Sequence, residues 1–118
     1  MNYNCVERPA SFFGVPDSLF SHLTLDVDDT AMTATIVYVK VAVEHTGAFR
    51  RLVAAIEASP YKLIIYCPVR RTRGIIARLG YGPIDDDNWM KGVPVTDDQI
   101  NSGVYSYSYH NDVGDVYD

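Results

Sequence analysis

The chain has 118 residues, enough for one hydrophobic core and too few for two independent cores. Hydrophobic residues make up 47% and charged residues 21%, a composition typical of a globular protein and unlike that of a disordered one. Residues 1–10 lack the apolar stretch of a signal peptide, and no apolar run reaches the length of a membrane span. We therefore predict a single cytoplasmic domain, in the host cytoplasm if the protein is viral.

The net charge of −5 conceals a basic centre between acidic flanks. Residues 40–78 hold eight lysines and arginines against two glutamates, a local charge of +6, whereas residues 79–118 hold eight aspartates against one lysine. An anionic ligand would explain the basic centre. Equally, its arginines could be solvated helix faces that the acidic end of the chain neutralises.

The first half of the chain predicts an arm followed by a hairpin. Residues 1–16 are typical of an irregular arm, and Asp17 can cap a short helix ending near His22. Alternating apolar residues predict a strand over Leu23–Asp28. A β-branched run predicts a second strand over Thr33–Val43, with its odd-numbered valines on one face. The two strands should pair antiparallel.

The middle of the chain predicts alternating helices and strands. Thr46 caps a helix that runs to Ala58, and its apolar positions form one stripe. The apolar run Lys62–Cys67 predicts a strand covered on both faces and parallel to the preceding one. A second helix covers Arg71–Leu79 and ends at Gly80, which completes a right-handed crossover unit.

The last part of the chain gives a weaker pattern. Beyond Tyr81 the sequence is compatible with one further hairpin. Residues 102–118 form an acidic segment in which tyrosines alternate with small residues over Val104–Tyr109. This segment could add an edge strand, form a homodimer or remain a disordered tail. The predicted fold class is α/β, in the α+β sense of a mixed sheet.

The stretch from Thr33 to Ile84 resembles the core of the GCN5-related N-acetyltransferases (GNAT) in the order and length of its elements. It is also similar to short members of this family found in tailed bacteriophages. The second helix ends in Arg78, Leu79, Gly80 and Tyr81, where the family usually has a basic residue, Leu, Gly and Phe. The resemblance implies a hairpin followed by strand, helix, strand and helix.

The chain departs from the family pattern at three positions. Glu44 stands where the family loop has a basic residue, and Phe49 stands where it has a second small residue. Ile76 replaces the tyrosine that commonly acts as the general acid. These departures favour a degenerate member that does not catalyse the reaction.

The resemblance implies that acetyl-CoA is the cofactor and that an amine is the acceptor. Small residues at the start of the first helix would let the pyrophosphate approach backbone amides, and nearby arginines would bind the remaining phosphates. The predicted cofactor-binding residues are Val41, Val43, Thr46, Gly47, Ala48, Arg50, Arg70, Arg71 and Arg73. Glu44 and His45 are the candidate bases, and Tyr81 is the candidate proton donor to the leaving thiolate.

Three functions follow from these residues. The first is an acetyl-CoA-dependent N-acetyltransferase, and the second is a non-catalytic protein of the same fold that binds a protein partner, such as a phage accessory or virion component. The third is nucleic-acid binding through the cluster Arg70–Arg78, which the acidic flanks oppose. We predict no metal site, because the three consecutive acids Asp85–Asp87 lack the alternating spacing of a calcium loop.

Overall fold

A computed structural model describes residues 5–101 as a mixed α+β fold. Six strands form one sheet in the order β1-β2-β3-β4-β6-β5. The strands are β1 (Cys5–Glu7), β2 (Phe20–Asp28), β3 (Thr33–Val41), β4 (Lys62–Tyr66), β5 (Tyr81–Pro83) and β6 (Asn88–Lys91). The α-helices are α1 (Ala48–Glu57), α2 (Arg70–Arg78) and α3 (Asp97–Asn101), and short 3₁₀ helices cover Ala10–Phe13 and Asp17–Leu19.

The N-terminal arm is more ordered than the sequence predicts. Strand β1 pairs antiparallel with β2, with Val6 opposite Val27, so the predicted irregular arm is wrong for these residues. The predicted helix from Asp17 is wrong beyond one 3₁₀ turn, and β2 begins at Phe20. The Asp17 carboxylate accepts hydrogen bonds from the amide and hydroxyl of Ser11, at 2.9 and 3.0 Å, and thus holds the preceding turn instead of capping a longer helix.

The predicted hairpin is confirmed, because β2 and β3 pair antiparallel. Asp28 shapes its turn, since one oxygen of the buried carboxylate accepts the amide hydrogens of Thr30 and Ala31 at 2.9 and 3.0 Å. A carboxylate that bonds to the backbone two and three residues ahead is a frequent turn former. The side chain therefore fixes where β2 stops.

Strand β3 contains a bulge that the sequence does not reveal. Thr24 lies opposite Tyr38, but the next residue, Leu25, lies opposite Ile36, so Val37 is the extra residue. A bulge of this kind exchanges the two faces of a strand. The core-facing residues accordingly change from even to odd numbers along β3, and they are Ala34, Ile36, Val39 and Val41.

Two predictions for β3 are therefore wrong. Its alternation is not continuous, and the strand ends at Val41 instead of Val43, whose side chain is 64% exposed. The strand stops because the chain leaves the sheet in a turn toward α1.

One face of the sheet carries the core. The buried residues of the paired strands join the buried stripes of α1 and α2 in a single cluster. Ile64 of β4 and Met90 of β6 lie opposite each other on the other face and are only partly buried. The prediction that β4 is covered on both faces is therefore wrong, because both long helices pack on the same side.

The crossover between β3 and β4 follows the sequence closely. The two strands are parallel, as predicted, and α1 ends at Glu57, with Ala58 as its C-cap residue. The predicted cap is wrong, since the N-cap residue is Gly47 and it makes no side-chain hydrogen bond. The Thr46 hydroxyl instead donates to the carbonyl of Val43 at 3.0 Å, which closes the turn before the helix.

The end of the described chain forms a hairpin and a short helix. Strands β5 and β6 pair antiparallel, which confirms the predicted hairpin, and β6 lies between β4 and β5. Helix α3 was not predicted, although Thr96 and Gln99 form a capping box in which each side chain bonds to the other's amide. The predicted acidic segment 102–118 lies outside the described residues. None of the described helices has the length and apolar character needed to cross a membrane.

Candidate functional site

Strands β3 and β4 diverge at their carboxyl ends. They pair over four positions, from Thr33↔Lys62 to Ile36↔Ile65. Within residues 5–101, the rest of β3 up to Val41 pairs only with β2. The bulge at Val37 begins where the parallel pairing stops, so it helps to turn β3 away from β4. The result is an opening between two neighbouring strands of one sheet.

The loop between β3 and α1 borders this opening. His45 and Gly47 both have left-handed backbone conformations, with φ of 64° and 75°. A Cβ at Gly47 would meet no atom within 4 Å, so a side chain would have space here. Glycine is favoured at this position because the backbone φ is positive. Ala48, the first residue of α1, is buried. The start of α1 thus has two small residues, Gly47 and Ala48, and no side-chain cap.

Helix α2 begins at the same end of the sheet. Its N-cap residue, Val69, also makes no side-chain cap hydrogen bond. Amides in the first turn of a helix carry a partial positive charge and favour anions. The side chains of Arg50, Arg70 and Arg71 are exposed around the two helix starts. We name this region the helix-start site: Val41, residues 43–48, Arg50, Arg70 and Arg71.

Arg73 does not belong to this site, although the sequence analysis grouped it with Arg70 and Arg71. Its side chain is 91% buried. Its Nε donates to the carbonyl of Ile100 at 2.9 Å, and a terminal nitrogen donates to the carbonyl of Pro68 at 2.7 Å. Arg73 therefore connects the start of α2 to α3.

The structure brings Glu44 and His45 together but does not bring Tyr81 near them. Their side chains are 56% and 74% exposed, and Glu44 Oε1 lies 3.9 Å from His45 Nε2. Tyr81 pairs with Lys91 at the far end of β6, whose other end lies beside Tyr66. Because β5 runs parallel to β4 and begins at Tyr81, the tyrosine lies at the opposite end of the sheet from the helix-start site.

Tyr81 belongs to a different polar group. It is 1% exposed, and its hydroxyl donates to Glu57 Oε2 at 2.5 Å. Lys91 Nζ lies 3.4 Å from the same oxygen. Burial, the hydrogen bond and the negative charge of Glu57 all raise the pKa of Tyr81. The hydroxyl consequently remains protonated and holds the end of α1 against β5.

This pKa shift predicts lower stability in alkaline solution. An ordinary tyrosine in the unfolded chain ionises at about pH 10, whereas folded Tyr81 keeps its proton above that pH. The stabilising effect is complete below about pH 10 and declines as the pH rises further, by at most about 1.4 kcal/mol per pH unit. Urea unfolding across this range should show a smaller decline for Tyr81→Phe. An equal decline in both proteins would contradict the role given to this hydroxyl.

Cys67 is a nucleophile close to the helix-start site. Its backbone has a left-handed φ of 45°, and its thiol lies 3.5 Å from Asp87 Oδ1. Partial burial raises the pKa of the thiol, and the charge of Asp87 adds to this effect. The surroundings thus disfavour the thiolate, the reactive form.

Two cavities lie at the end of the sheet where α1 ends and β4 begins, away from the helix-start site. The lysine cavity has a volume of about 350 Å³ and is lined by Glu57, Tyr61, Lys62, Leu63, Tyr81, Met90 and Lys91. The aromatic cavity has a volume of about 390 Å³ and is lined by Phe12, Phe13, Ala55, Ala58, Ser59, Pro60 and Tyr61. Tyr61 contributes to both. Sequence reasoning missed the lysine cavity because residues 24 positions apart, Glu57 and Tyr81, meet only after the strands have been ordered.

Among residues 5–101, no group of three or more His, Cys, Asp or Glu side chains is arranged to hold a metal ion. Asp85 instead accepts the amide hydrogens of Asp87 and Asn88, both at 2.8 Å, and these bonds lower its pKa.

No protein-family model matches the chain, and comparisons with curated proteins and with solved structures found no significant match.

Proposed function

We propose that the protein is a GNAT-like domain that binds acetyl-CoA at the helix-start site and transfers the acetyl group to an amine. The divergence of β3 and β4 is the observation that carries this proposal. The resemblance of residues 33–84 to the GNAT core implies such a parting of parallel strands, with the pantetheine arm between them. Helices α1 and α2 both begin at this end of the sheet without a side-chain cap, and the amides of their first turns would provide a site for the pyrophosphate.

The cofactor would lie along the opening. Its pantetheine arm would bond to the backbone at the end of β3, near Val41 and Val43. The pyrophosphate would contact the first amides of α1 beyond Gly47, and the exposed side chains of Arg50, Arg70 and Arg71 would neutralise the phosphates. Phe49 would not obstruct the cofactor, since its ring is fully buried.

The transfer needs a neutral amine and a base. The amine nitrogen attacks the thioester carbonyl, the new C–N bond forms and the C–S bond breaks. His45, or Glu44 beside it, accepts the proton that the amine loses. The coenzyme A thiolate leaves and takes a proton from the protonated base or from water. A backbone amide near Val43 would stabilise the oxyanion. Tyr81 has no part in this scheme.

Isothermal titration of acetyl-CoA into the full chain tests the binding step. We expect saturable binding that the double variant Arg70→Ala, Arg71→Ala weakens by about tenfold or more, because two charge-assisted contacts to phosphate are lost. Arg78→Ala is the matched control, since this exposed arginine lies at the opposite end of α2. Absence of binding, or an equal loss in the control, would contradict the proposal.

A non-catalytic protein that binds a protein partner is the second candidate function. Two observations favour it: Glu44 and His45 are open to solvent, and Tyr81 lies at the other end of the sheet. A radiolabelled acetyl-transfer assay with a panel of amines separates the two candidates. Transfer that is lost in His45→Ala supports the enzyme, whereas binding of acetyl-CoA without transfer to any amine supports the non-catalytic protein.

A further inference from the structure

The lysine cavity is a notch in the sheet. Pairing between β4 and β6 ends at Ile64↔Met90, whereas pairing between β5 and β6 continues to Tyr81↔Lys91. A space therefore remains between Leu63 and Lys91, which both line the cavity. Glu57, the last residue of α1, borders it on the helix side.

The polar side chains at the bottom of the notch, those of Glu57, Tyr81 and Lys91, are held in place by contacts with one another. Glu57 Oε2 accepts the hydrogen bond of Tyr81 and lies 3.4 Å from Lys91 Nζ. The stem of Lys91 passes over Gly80, where a Cβ would lie 3.7 Å from Lys91 Cε. These contacts restrict three side chains before any ligand arrives, which lowers the entropic cost of binding.

Tyr61 forms a fixed aromatic wall between the two cavities. Its hydroxyl donates to a carboxylate oxygen of Asp29, and its ring packs edge-to-face on Phe13 with the centroids 5.6 Å apart. Leu63 and Met90 add apolar surface to the lysine cavity. The lysine cavity thus has an apolar wall, and the Tyr61 ring in this wall is held by its contacts with Asp29 and Phe13.

The charges of the lining residues leave an excess of one positive charge. Two lysines and one glutamate line the notch. Lys91 is paired with Glu57, so the ammonium group of Lys62 supplies the excess. A cavity whose lining combines one excess ammonium group with apolar side chains suits a ligand that has one anionic group and an apolar body.

We propose that the lysine cavity binds a small organic monoanion, a carboxylate on an aromatic or compact apolar body. The carboxylate pairs with Lys62, and the body packs against Tyr61 and Met90. This site is separate from the helix-start site, at the opposite end of the sheet, and does not depend on acetyl-CoA.

Benzoate is the probe for this proposal, and benzamide is its neutral counterpart. We would titrate each into the ¹⁵N-labelled full chain and follow the amide signals by NMR. Benzoate should shift the signals of residues 61–63 and 90–91 in a saturable way, and benzamide should bind about tenfold more weakly or not at all. Inorganic phosphate, which lacks an apolar body, should also bind more weakly than benzoate.

Substitutions of Lys62 and Glu57 test whether a positive charge strengthens benzoate binding and a negative charge weakens it. Lys62→Met should weaken benzoate binding by about tenfold, and Glu57→Gln should strengthen it several-fold because a repelling charge is removed. A merely structural role for these residues would not give opposite signs. Lys40→Met is the matched control, because this exposed lysine lies on β3, outside the cavity, and its change should leave the affinity for benzoate as it is.

Three outcomes would overturn the proposal. They are the absence of saturable shifts at residues 61–63 and 90–91, equal affinity for benzoate and benzamide, and an equal loss of affinity in Lys62→Met and Lys40→Met. Circular dichroism of each variant shows whether it is folded, and Glu57→Gln supplies an independent test if Lys62→Met is not.

Discussion

Gly82→Ala should destabilise the protein by about 3 kcal/mol or more, because the added methyl group has no space. A Cβ at this position would lie 2.2 Å from the carbonyl oxygen of Val93 and 2.8 Å from that of Pro94. Both atoms belong to the backbone, so no side-chain rotation relieves the clash. The segment that leads to α3 would have to move away from β5, and Val95 and Ile100 would lose their contacts with the core.

Urea unfolding of the full chain measures this effect, and Gly74→Ala is the matched control. A Cβ at Gly74, inside α2, would meet no atom within 4 Å. The control should be neutral or more stable by roughly 0.5–1 kcal/mol, since alanine favours a helix interior. If both variants unfold at the same urea concentration as the unchanged protein, the segment at 93–94 does not pack against β5.

Phe49→Ala should cost about 3–5 kcal/mol in the free energy of unfolding, the usual cost of removing a buried aromatic ring. Phe49 is 0% exposed and belongs to the core cluster between α1 and the sheet. Phe49→Leu refills most of the space and should cost about 1 kcal/mol. Thermal or urea unfolding distinguishes the two variants.

The same residue also tests the proposed cofactor site. Phe49 occupies the loop position where the family resemblance implies a small residue, yet its ring turns into the core. We therefore expect Phe49→Leu to bind acetyl-CoA with an affinity within about twofold of the unchanged protein. A gain of tenfold or more would mean that the ring obstructs the cofactor.

The crossover was predictable because its signals are local. The apolar stripe of α1 repeats at the helical period, and prolines bracket β4 in the sequence. The bulge at Val37 gave no signal, since residues 36–39 are apolar or aromatic at every position and fit either face of a strand. The register that selects Val37 as the extra residue comes from pairing with β2.

The candidate site was predictable where its parts are neighbours in sequence. Glu44 and His45 meet because they are adjacent, and Arg70 and Arg71 share a helix turn. The position of Tyr81 was predictable from the predicted second helix but was missed, because Tyr81 directly follows a helix that begins at the site and ends away from it. The role of Arg73 depends on α3, a helix whose capping box was present in the sequence but was missed.

The bulge at Val37 also determines where the length of this chain can vary. Because Val37 is the residue left over in the pairing with β2, its deletion would restore regular alternation and leave Val39 and Val41 inward. The turn at 29–32 can likewise gain or lose a residue without changing either face. Single-residue deletions among descendants of this sequence should therefore be found in the turn and next to Val37, and be rare elsewhere in β3.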